Sequence, residues 1–293
     1  MEHQLWEEIL AVMKVVDKPR RNPRCRYSCQ DVVLVWFWAV LHDRPVSWAC
    51  DRRNWPLHEW RRRLPSPSRM SRRLRTPEVQ NLIKAIEDRT LRPKGNKPLA
   101  WAIDGKPLPI SGCSKDRQAG FGRAAQGKAK GYKLHTVMGM DGSIAAWRIA
   151  PMNKDERIMA RRLLRGADIQ GYLLADSNYD SNALHDICTD RGNLQLLTRP
   201  RGGYGRTKRR RQQSPGRLRS IELLENPQPE FGRGLLKERE AIERRFGNLS
   251  NWGGGLTHLP PWVRTHPRVH RWVQAKLIID ALKRIPQKTT YVD

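Results

Sequence analysis

Three acidic residues that are far apart in the chain have neighbours that would position them for metal-dependent chemistry. Asp104 follows the apolar run 99–103, and Asp176 follows the apolar run 172–175. Both patterns predict a buried strand that ends on a carboxylate at the edge of a sheet. Glu243 lies between two apolar residues of a predicted helix, near its buried side. If the two strands are neighbours and the helix packs across their edge, the three acids converge.

Converging carboxylates are suited to the cleavage of phosphodiesters. Two divalent metals about 4 Å apart can stabilise both the attacking and the leaving oxygen of such a reaction. Mg²⁺ prefers hard oxygen ligands and usually retains water, so three carboxylates are enough for two ions. Without a cation or a proton the cluster would repel itself. The pattern therefore favours a metal-dependent reaction on nucleic acid.

Each acid also has a purely structural interpretation. Asp104 precedes a glycine and is compatible with a turn, and Asp176 is able to cap the segment that follows it. Glu243 has Arg239 four residues before it on the same helix, which is typical of a surface ion pair. Other acids compete for the same roles. They are Asp141, Asp180, Glu238 and Glu240.

The charge of the chain points to a polyanionic partner. Its 293 residues include 56 Lys and Arg against 29 Asp and Glu, a net charge of +27. DNA or RNA is the default partner for such a balance. An anionic membrane is the alternative, but no apolar run approaches the ~18 residues of a membrane span. The five cysteines are scattered, and no signal peptide is evident, so we expect reduced thiols in the cytoplasm.

Residues 1–90 read as an all-helical domain with short helices and basic turns. The pattern is compatible with a helix-turn-helix DNA-binding domain, and equally with a helical cap that has a solvated basic face. Arg69, Arg72 and Arg73 are the best candidates there for contacts with DNA. Residues 91–98 have the composition of a linker.

Residues 99–285 change to an α/β pattern of strand, hairpin, helix, strand, helix and strand. This order predicts a mixed five-stranded sheet flanked by helices, with antiparallel strands first and parallel strands after the crossovers. Residues 286–293 form a C-terminal tail.

A basic segment interrupts this domain. We interpret residues 199–234 as a surface loop that grips phosphates, with Lys208, Arg209 and Arg210 as its strongest candidates. Nuclear localisation is the alternative for such a run. A helix over 235–249 follows and carries Glu243.

Five motifs follow one another over about 99–285: Ala-Ile-Asp104-Gly, Lys130-Gly-Tyr-Lys-Leu-His135, Ala150-Pro-Met-Asn153-Lys-Asp155, Leu174-Ala-Asp176-Ser-Asn-Tyr179-Asp180-Ser181 and Arg239-Glu-Ala-Ile-Glu243-Arg-Arg-Phe-Gly-Asn-Leu249. In these motifs and their order the chain resembles the DDE transposases of bacterial insertion sequences, in the superfamily of insertion sequences 4 and 5. The resemblance implies a ribonuclease-H-like core in which Asp104, Asp176 and Glu243 hold two Mg²⁺ ions, with Mn²⁺ as a substitute, while Arg239 steadies a phosphate.

Two positions depart from the family's pattern. Leu236 stands where the family has a tyrosine, and Ser250 stands where it has a lysine. Lys237 and Arg244 are nearby basic residues that could take over contacts with the DNA end.

The resemblance implies a transposase that cleaves the inverted-repeat ends of an element and joins their 3′-OH groups to target DNA. We expect a homodimer on double-stranded DNA, in the bacterial cytoplasm and associated with the nucleoid, with no membrane partner. The alternatives are a non-catalytic DNA-binding protein derived from such an enzyme, and a metal-dependent nuclease without strand transfer.

Overall fold

The computed structural model describes residues 2–16, 26–56, 63–93, 95–201, 213–225, 229–251, 255–256 and 258–284. The chain divides into two compact units. One comprises residues 1–91, 251–256 and 271–293, and the other comprises 92–250 and 257–270. Most of the last helix, which we assigned to the α/β domain, lies in the same unit as the first helices.

The described elements follow the chain in a helical stretch and then an alternating one. The first stretch contains α1 (Glu2–Val16), α2 (Cys29–Leu41), α3 (Val46–Ala49), α4 (Pro67–Arg73) and α5 (Pro77–Leu91). The second contains β1 (Ala100–Pro109), β2 (Gly120–Ala124), β3 (Gly127–Gly139), β4 (Ile144–Pro151), α6 (Glu156–Leu164), β5 (Gly171–Ala175), α7 (Asn182–Thr189), β6 (Leu194–Thr198), α8 (Pro215–Glu225), α9 (Pro229–Asn251) and α10 (His266–Lys283). None of the helices described is long and apolar enough to span a membrane.

The first unit is helical, as its sequence predicts. Helix α2 is apolar on nearly all sides and is buried, and Ser28 caps its N-terminus by accepting a hydrogen bond from the Asp31 amide at 3.0 Å. Trp6, Trp38 and Trp55 pack together beside it, with ring centroids 4.6 to 5.8 Å apart. This apolar cluster gives the unit a core of its own.

The second unit contains a six-stranded mixed sheet in the order β2-β3-β1-β5-β6, with β4 paired to β3. Strands β1, β5 and β6 are parallel, and β3 is antiparallel to β1, β2 and β4. The predicted ribonuclease-H-like mixed sheet flanked by helices is confirmed, but the predicted number of five strands is wrong. The additional strand is β2.

Alternation along the strands separates the two faces of the sheet. Trp101, Ile103, Leu173 and Ala175 are buried in the core cluster formed with residues of α6 and α7. Tyr172 points to the other face, where its ring lies 5.5 Å from the ring of Phe231 at the start of α9. The start of helix α9 therefore lies on the face opposite α6 and α7.

Strand β1 continues five residues beyond the expected end at Asp104, because β3 pairs with it as far as Pro109. This extension contains two prolines, Pro107 and Pro109. The Ile110 amide donates to Lys130 O of β3 at 2.9 Å. Backbone N–H groups of successive residues point to opposite edges of a strand, so the backbone nitrogens of residues 107 and 109 point away from β3, to the edge where β5 lies. Strand β5 pairs with β1 only as far as Ala102, and a missing N–H on that edge costs no hydrogen bond of the β1–β5 ladder.

The predicted loop 199–234 is incorrect in its second half, where α8 and the first turns of α9 lie. Arg217 of α8 is buried and donates to both oxygens of the buried Asp180, at 2.8 and 2.7 Å. Because a paired guanidinium can be buried whereas an isolated one cannot, this ion pair explains how a basic stretch forms part of the core.

Gly171 opens β5 in the left-handed region with φ +86°, and a Cβ there would overlap the Leu99 carbonyl. We expect Gly171→Ala to lower the free energy of unfolding by about 1–3 kcal/mol. Gly112→Ala is the matched control, since nothing lies within 4 Å of its Cβ position. Chemical denaturation of both variants measures the difference, and equal stabilities would contradict the strained position.

Candidate active site

The register between β1 and β5 brings Asp104 and Asp176 side by side. Ala102 pairs with Leu174, and each acid lies two residues further along its chain. Residues of the same parity point to one face, and neighbouring strands are about 4.8 Å apart. The two carboxylates, predicted as strand-end acids, therefore lie on the face of the sheet where Tyr172 contacts the start of α9.

Asp176 is held in place from two sides. Its carboxylate accepts hydrogen bonds from the amide of Asn178 at 2.9 Å and from the side-chain amide at 3.2 Å, capping the 3₁₀ turn 177–179. The Thr198 hydroxyl at the end of β6 donates to its carbonyl at 2.7 Å. The capping role is thus present, and an ionised carboxylate that accepts two bonds still has lone pairs for a further ligand.

The environment of Asp104 opposes its ionisation. Burial raises the pKa of this carboxyl, and Asp176 and Glu156 raise it further, against the Gly105 amide and Arg239, which lower it. The Gly105 amide donates to Asp104 Oδ1 at 2.7 Å. The mutual effect of the acids indicates that they share one electrostatic environment.

Helix α9 brings Arg239 to these acids. Phe231 contacts Tyr172, and the eight residues from Phe231 to Arg239 rise about 12 Å. The four residues from Tyr172 to Asp176 rise about 13 Å, which is the same advance along the sheet. Helix and strand thus run in step, and the guanidinium comes close enough to lower the pKa of Asp104.

Glu243 lies one helical turn beyond Arg239 and forms an ion pair with it. Its side chain is 45% exposed, so it does not lie near the buried side of the helix as its neighbours had suggested. In the part of the chain that the structure describes, no three His, Cys, Asp or Glu side chains are grouped closely enough to hold one metal ion. The structure brings Asp104 and Asp176 together and leaves Glu243 paired with Arg239.

The paired acids still fit a divalent cation. Mg²⁺ in nucleotide-processing sites is commonly bound by one or two carboxylates, with water and substrate phosphates completing its shell. Asp104 and Asp176 are such a pair of hard oxygen donors. Burial and a neighbouring acid raise the pKa of Asp104, which a nearby cation would counteract.

Lys106 is a charged neighbour of Asp104 that the sequence pattern did not indicate. It lies two residues beyond Asp104 on the same face of β1, and burial lowers the pKa of its ammonium group against the opposing effect of Asp104. The alternation of side chains along a longer strand would have revealed it.

A second charged group lies on the opposite face of the sheet. Lys133 Nζ and Glu156 Oε1 are 2.5 Å apart, and together with His135 they crowd the position that a Cβ on Gly105 would occupy. Tyr179 is buried beside this group, and no described residue hydrogen-bonds its hydroxyl. Burial raises its pKa, and Glu156, Asp104 and Asp176 raise it further.

The predicted DNA contacts differ in their surroundings. Lys237 and Arg244 are exposed on α9, and Arg69 and Arg72 are exposed on α4. The guanidinium of Arg73 donates to the Tyr27 carbonyl and to the Cys29 sulfur, both at 3.3 Å, so it also ties α4 to the start of α2. Lys208, Arg209 and Arg210 lie outside the described residues.

Asp180, the rival acid next to the site in sequence, has a carboxylate that is already bound by other residues. Besides Arg217, it accepts a hydrogen bond from the Arg201 amide at 2.9 Å, and His185 Nε2 lies 3.4 Å away. Burial alone would raise its pKa, but His185, Arg217 and Arg201 hold it well below the usual range. Its role is structural.

Comparison with known proteins gives one family. The family of the transposase DDE domain matches residues 95–278. Among solved structures, the chain resembles a piggyBac transposase in a synaptic complex with hairpin DNA, with a TM-score of 0.48 and 9% identity, over 94% of this chain and 71% of that chain. No curated protein matches the chain.

His135 makes the stability of this region depend on pH. It is 1% exposed, and burial, followed by the charge of Lys133, lowers its pKa to about 4. The unfolded histidine takes up a proton near pH 6.5, so the stability from the neutral ring is complete above that pH and is lost towards pH 4.

We expect the wild type to lose about 2–3 kcal/mol more between pH 7.5 and 4.5 than His135→Gln. Denaturant unfolding of both proteins across this range measures the loss. The comparison is between the slopes of unfolding free energy against pH. A pH-independent effect of the substitution on stability therefore does not change the result. Parallel pH profiles would show that His135 does not titrate as described.

Proposed function

The chain belongs to the transposase DDE domain family, and from that premise we propose that it cleaves DNA at the inverted-repeat ends of a mobile element and joins them to target DNA. The observation that carries the proposal is the register of β1 and β5, which sets Asp104 and Asp176 side by side. The net charge of +27 supports DNA as the partner.

The proposed reaction has two steps. In the first, water attacks the phosphorus at the element's end, the P–O3′ bond breaks, and the leaving O3′ takes up a proton. In the second, this 3′-OH attacks a target phosphodiester, whose own P–O3′ bond breaks, so the number of phosphodiester bonds is unchanged. Mg²⁺ or Mn²⁺, held by Asp104 and Asp176, supplies electrostatic stabilisation of the attacking and leaving oxygens when bound.

The chain's own residues bind and orient the DNA. Arg239 lies beside the acids and binds a non-bridging oxygen of the phosphate, and Lys106 adds positive charge on the same face. A phosphate at this position competes with Glu243 for Arg239. Glu243, once released, completes the acidic group and a second metal site.

We assign recognition of the element's ends to the helical residues 1–90, with Arg69 and Arg72 on its surface. Strand transfer joins two ends, so we propose that two copies of the chain act together on DNA. Association with the bacterial nucleoid follows from the same affinity for DNA.

A second candidate function is DNA binding without catalysis. Leu236 and Ser250 depart from the family's pattern, and Glu243 is engaged by Arg239 in the described structure. A metal-dependent nuclease without strand transfer is the third. Reaction products separate the three: joined DNA indicates a transposase, nicked or cut DNA alone a nuclease, and a complex without products a binding protein.

We expect Asp104→Asn and Asp176→Asn each to reduce cleavage at least 100-fold, because loss of metal-dependent stabilisation is worth several kcal/mol. The substrate is a labelled duplex with the inverted repeats that flank the coding sequence, incubated with Mg²⁺ and a supercoiled target. EDTA is expected to abolish all products.

The control is Asp186→Asn, which removes an exposed acid from α7. It should cleave like the wild type. Thermal unfolding gives a readout independent of activity: Mg²⁺ should stabilise the wild type and Asp186→Asn, but not Asp104→Asn. Cleavage by Asp104→Asn at the wild-type rate would exclude this site.

Glu243→Gln separates a surface ion pair from a catalytic acid. A pair with a side chain 45% exposed contributes about 0–1 kcal/mol to folding, so stability should hardly change. If Glu243 completes the active site, cleavage should nevertheless fall at least 100-fold. Denaturant unfolding and the cleavage assay on the same preparation give both values, and unchanged cleavage would leave Glu243 with only the ion pair.

A further inference from the structure

The strand that the sequence did not predict forms a two-stranded ribbon with unlike faces. We define this ribbon as residues 120–131, in which β2 pairs with the start of β3. Phe121 is opposite Lys130, and Arg123 is opposite Lys128, so these four side chains share one face. The other face consists of glycine and alanine only. They are Gly120, Gly122, Ala124, Gly127, Ala129 and Gly131.

The small face is packed against the rest of the domain at Gly120, Gly122 and Gly131. A Cβ on Gly122 would come within 2.6 Å of Met152, and a Cβ on Gly120 would overlap the side chain of Asn153. Gly131 lies equally close to Leu108. Side chains are excluded there because the ribbon lies directly on this part of the domain.

The other face is exposed and positively charged. Phe121 is 58% exposed, and Lys128 Nζ lies 6.0 Å from its ring centroid. Arg123 and Lys128 are exposed, and neither has a carboxylate partner among the described residues. An exposed aromatic ring next to cations without carboxylate partners is a surface suited to binding nucleic acid.

The surrounding sequence lacks acids that would neutralise this face. Residues 105–131 contain six Lys and Arg but only one acid, Asp116. Asp116 is buried and accepts hydrogen bonds from the Tyr132 hydroxyl and the Thr265 amide, both at 2.8 Å. Its carboxylate is therefore already engaged, and of the ribbon's cations Lys130 is the one whose charge lowers the pKa of Asp116.

The position of the ribbon relates it to the acid pair. Asp104 is opposite Thr136 of β3, and nine residues of β3 separate Thr136 from Gly127 at the turn, about 30 Å of strand. One turn of B-DNA rises about 34 Å. A duplex cut at Asp104 and Asp176 therefore has phosphates within reach of the ribbon.

We propose that the exposed face of the ribbon binds the backbone of duplex DNA within one helical turn of the cleaved bond. Arg123 and Lys128 contact phosphates, and the ring of Phe121 packs on the sugars and base edges between them. This assignment rests on the proposed function, since it takes the DNA that the acid pair cleaves as the ligand.

Salt dependence tests the two cations. Fluorescence anisotropy of a labelled 40-base-pair duplex is measured with the full chain between 50 and 200 mM salt. Each phosphate contact adds about 0.9 to the log–log slope, so Arg123→Gln with Lys128→Gln should lower the slope by about 2 and the affinity up to about 60-fold at 0.1 M salt. Phe121→Ala should weaken binding roughly fivefold or more with an unchanged slope, because it removes no charge.

Arg161→Gln with Arg162→Gln is the matched control. It removes the same charge from two exposed positions of α6, on the opposite side of the sheet, and should keep the wild-type slope. Equal melting temperatures confirm that all variants fold. If the wild type binds DNA and the ribbon variant keeps its slope, or loses no more than the control, the ribbon assignment is wrong. If the wild type binds no DNA, the proposed function itself fails.

Discussion

The parallel pairing of β1 with β5 is the constraint on which the candidate active site depends. The two strands are far apart in sequence, and neither acid alone identifies a metal site. Once Ala102 pairs with Leu174, Asp104 and Asp176 must lie side by side on one face. A shift of one residue in either strand would send one carboxylate into the apolar core beneath α6 and α7, so the packing of that core also fixes the register of the site.

Arg239 takes part in two electrostatic interactions at once. Arg239 lowers the pKa of Asp104 and thus favours its ionised form, which a metal or a phosphate-bound cation requires. The same guanidinium is held by Glu243, one turn along the helix. Arg239 therefore interacts with an acid of its own helix and with an acid of strand β1. This coupling explains why the third acid of the predicted triad is the one whose surroundings differ from expectation.

Elements that depend on neighbouring residues alone could be predicted from the sequence. The apolar runs before Asp104 and Asp176 predicted two strands of the sheet. The extension of β1 could not be predicted because Pro107 and Pro109 read as a break, and they are tolerated only where β5 has ended. Strand β2 was missed because its alternating glycine and alanine residues have low strand propensity, and only their close packing on Met152 explains them.

Whether a residue in a basic segment is buried or exposed could not be predicted from the sequence. Arg217 and Arg123 both lie in stretches with an excess of positive charge, and composition gives them the same interpretation. In the structure, Arg217 is buried with Asp180, 37 residues away in sequence, and belongs to the core. Arg123 lies on a strand whose opposite face is fixed against the domain, so its side chain faces solvent. Arg217 is buried because it has a partner far away in sequence. Arg123 is exposed because it lies on the side of β2 that faces away from the domain. A basic segment becomes a surface for DNA only where folding leaves its charge unpaired.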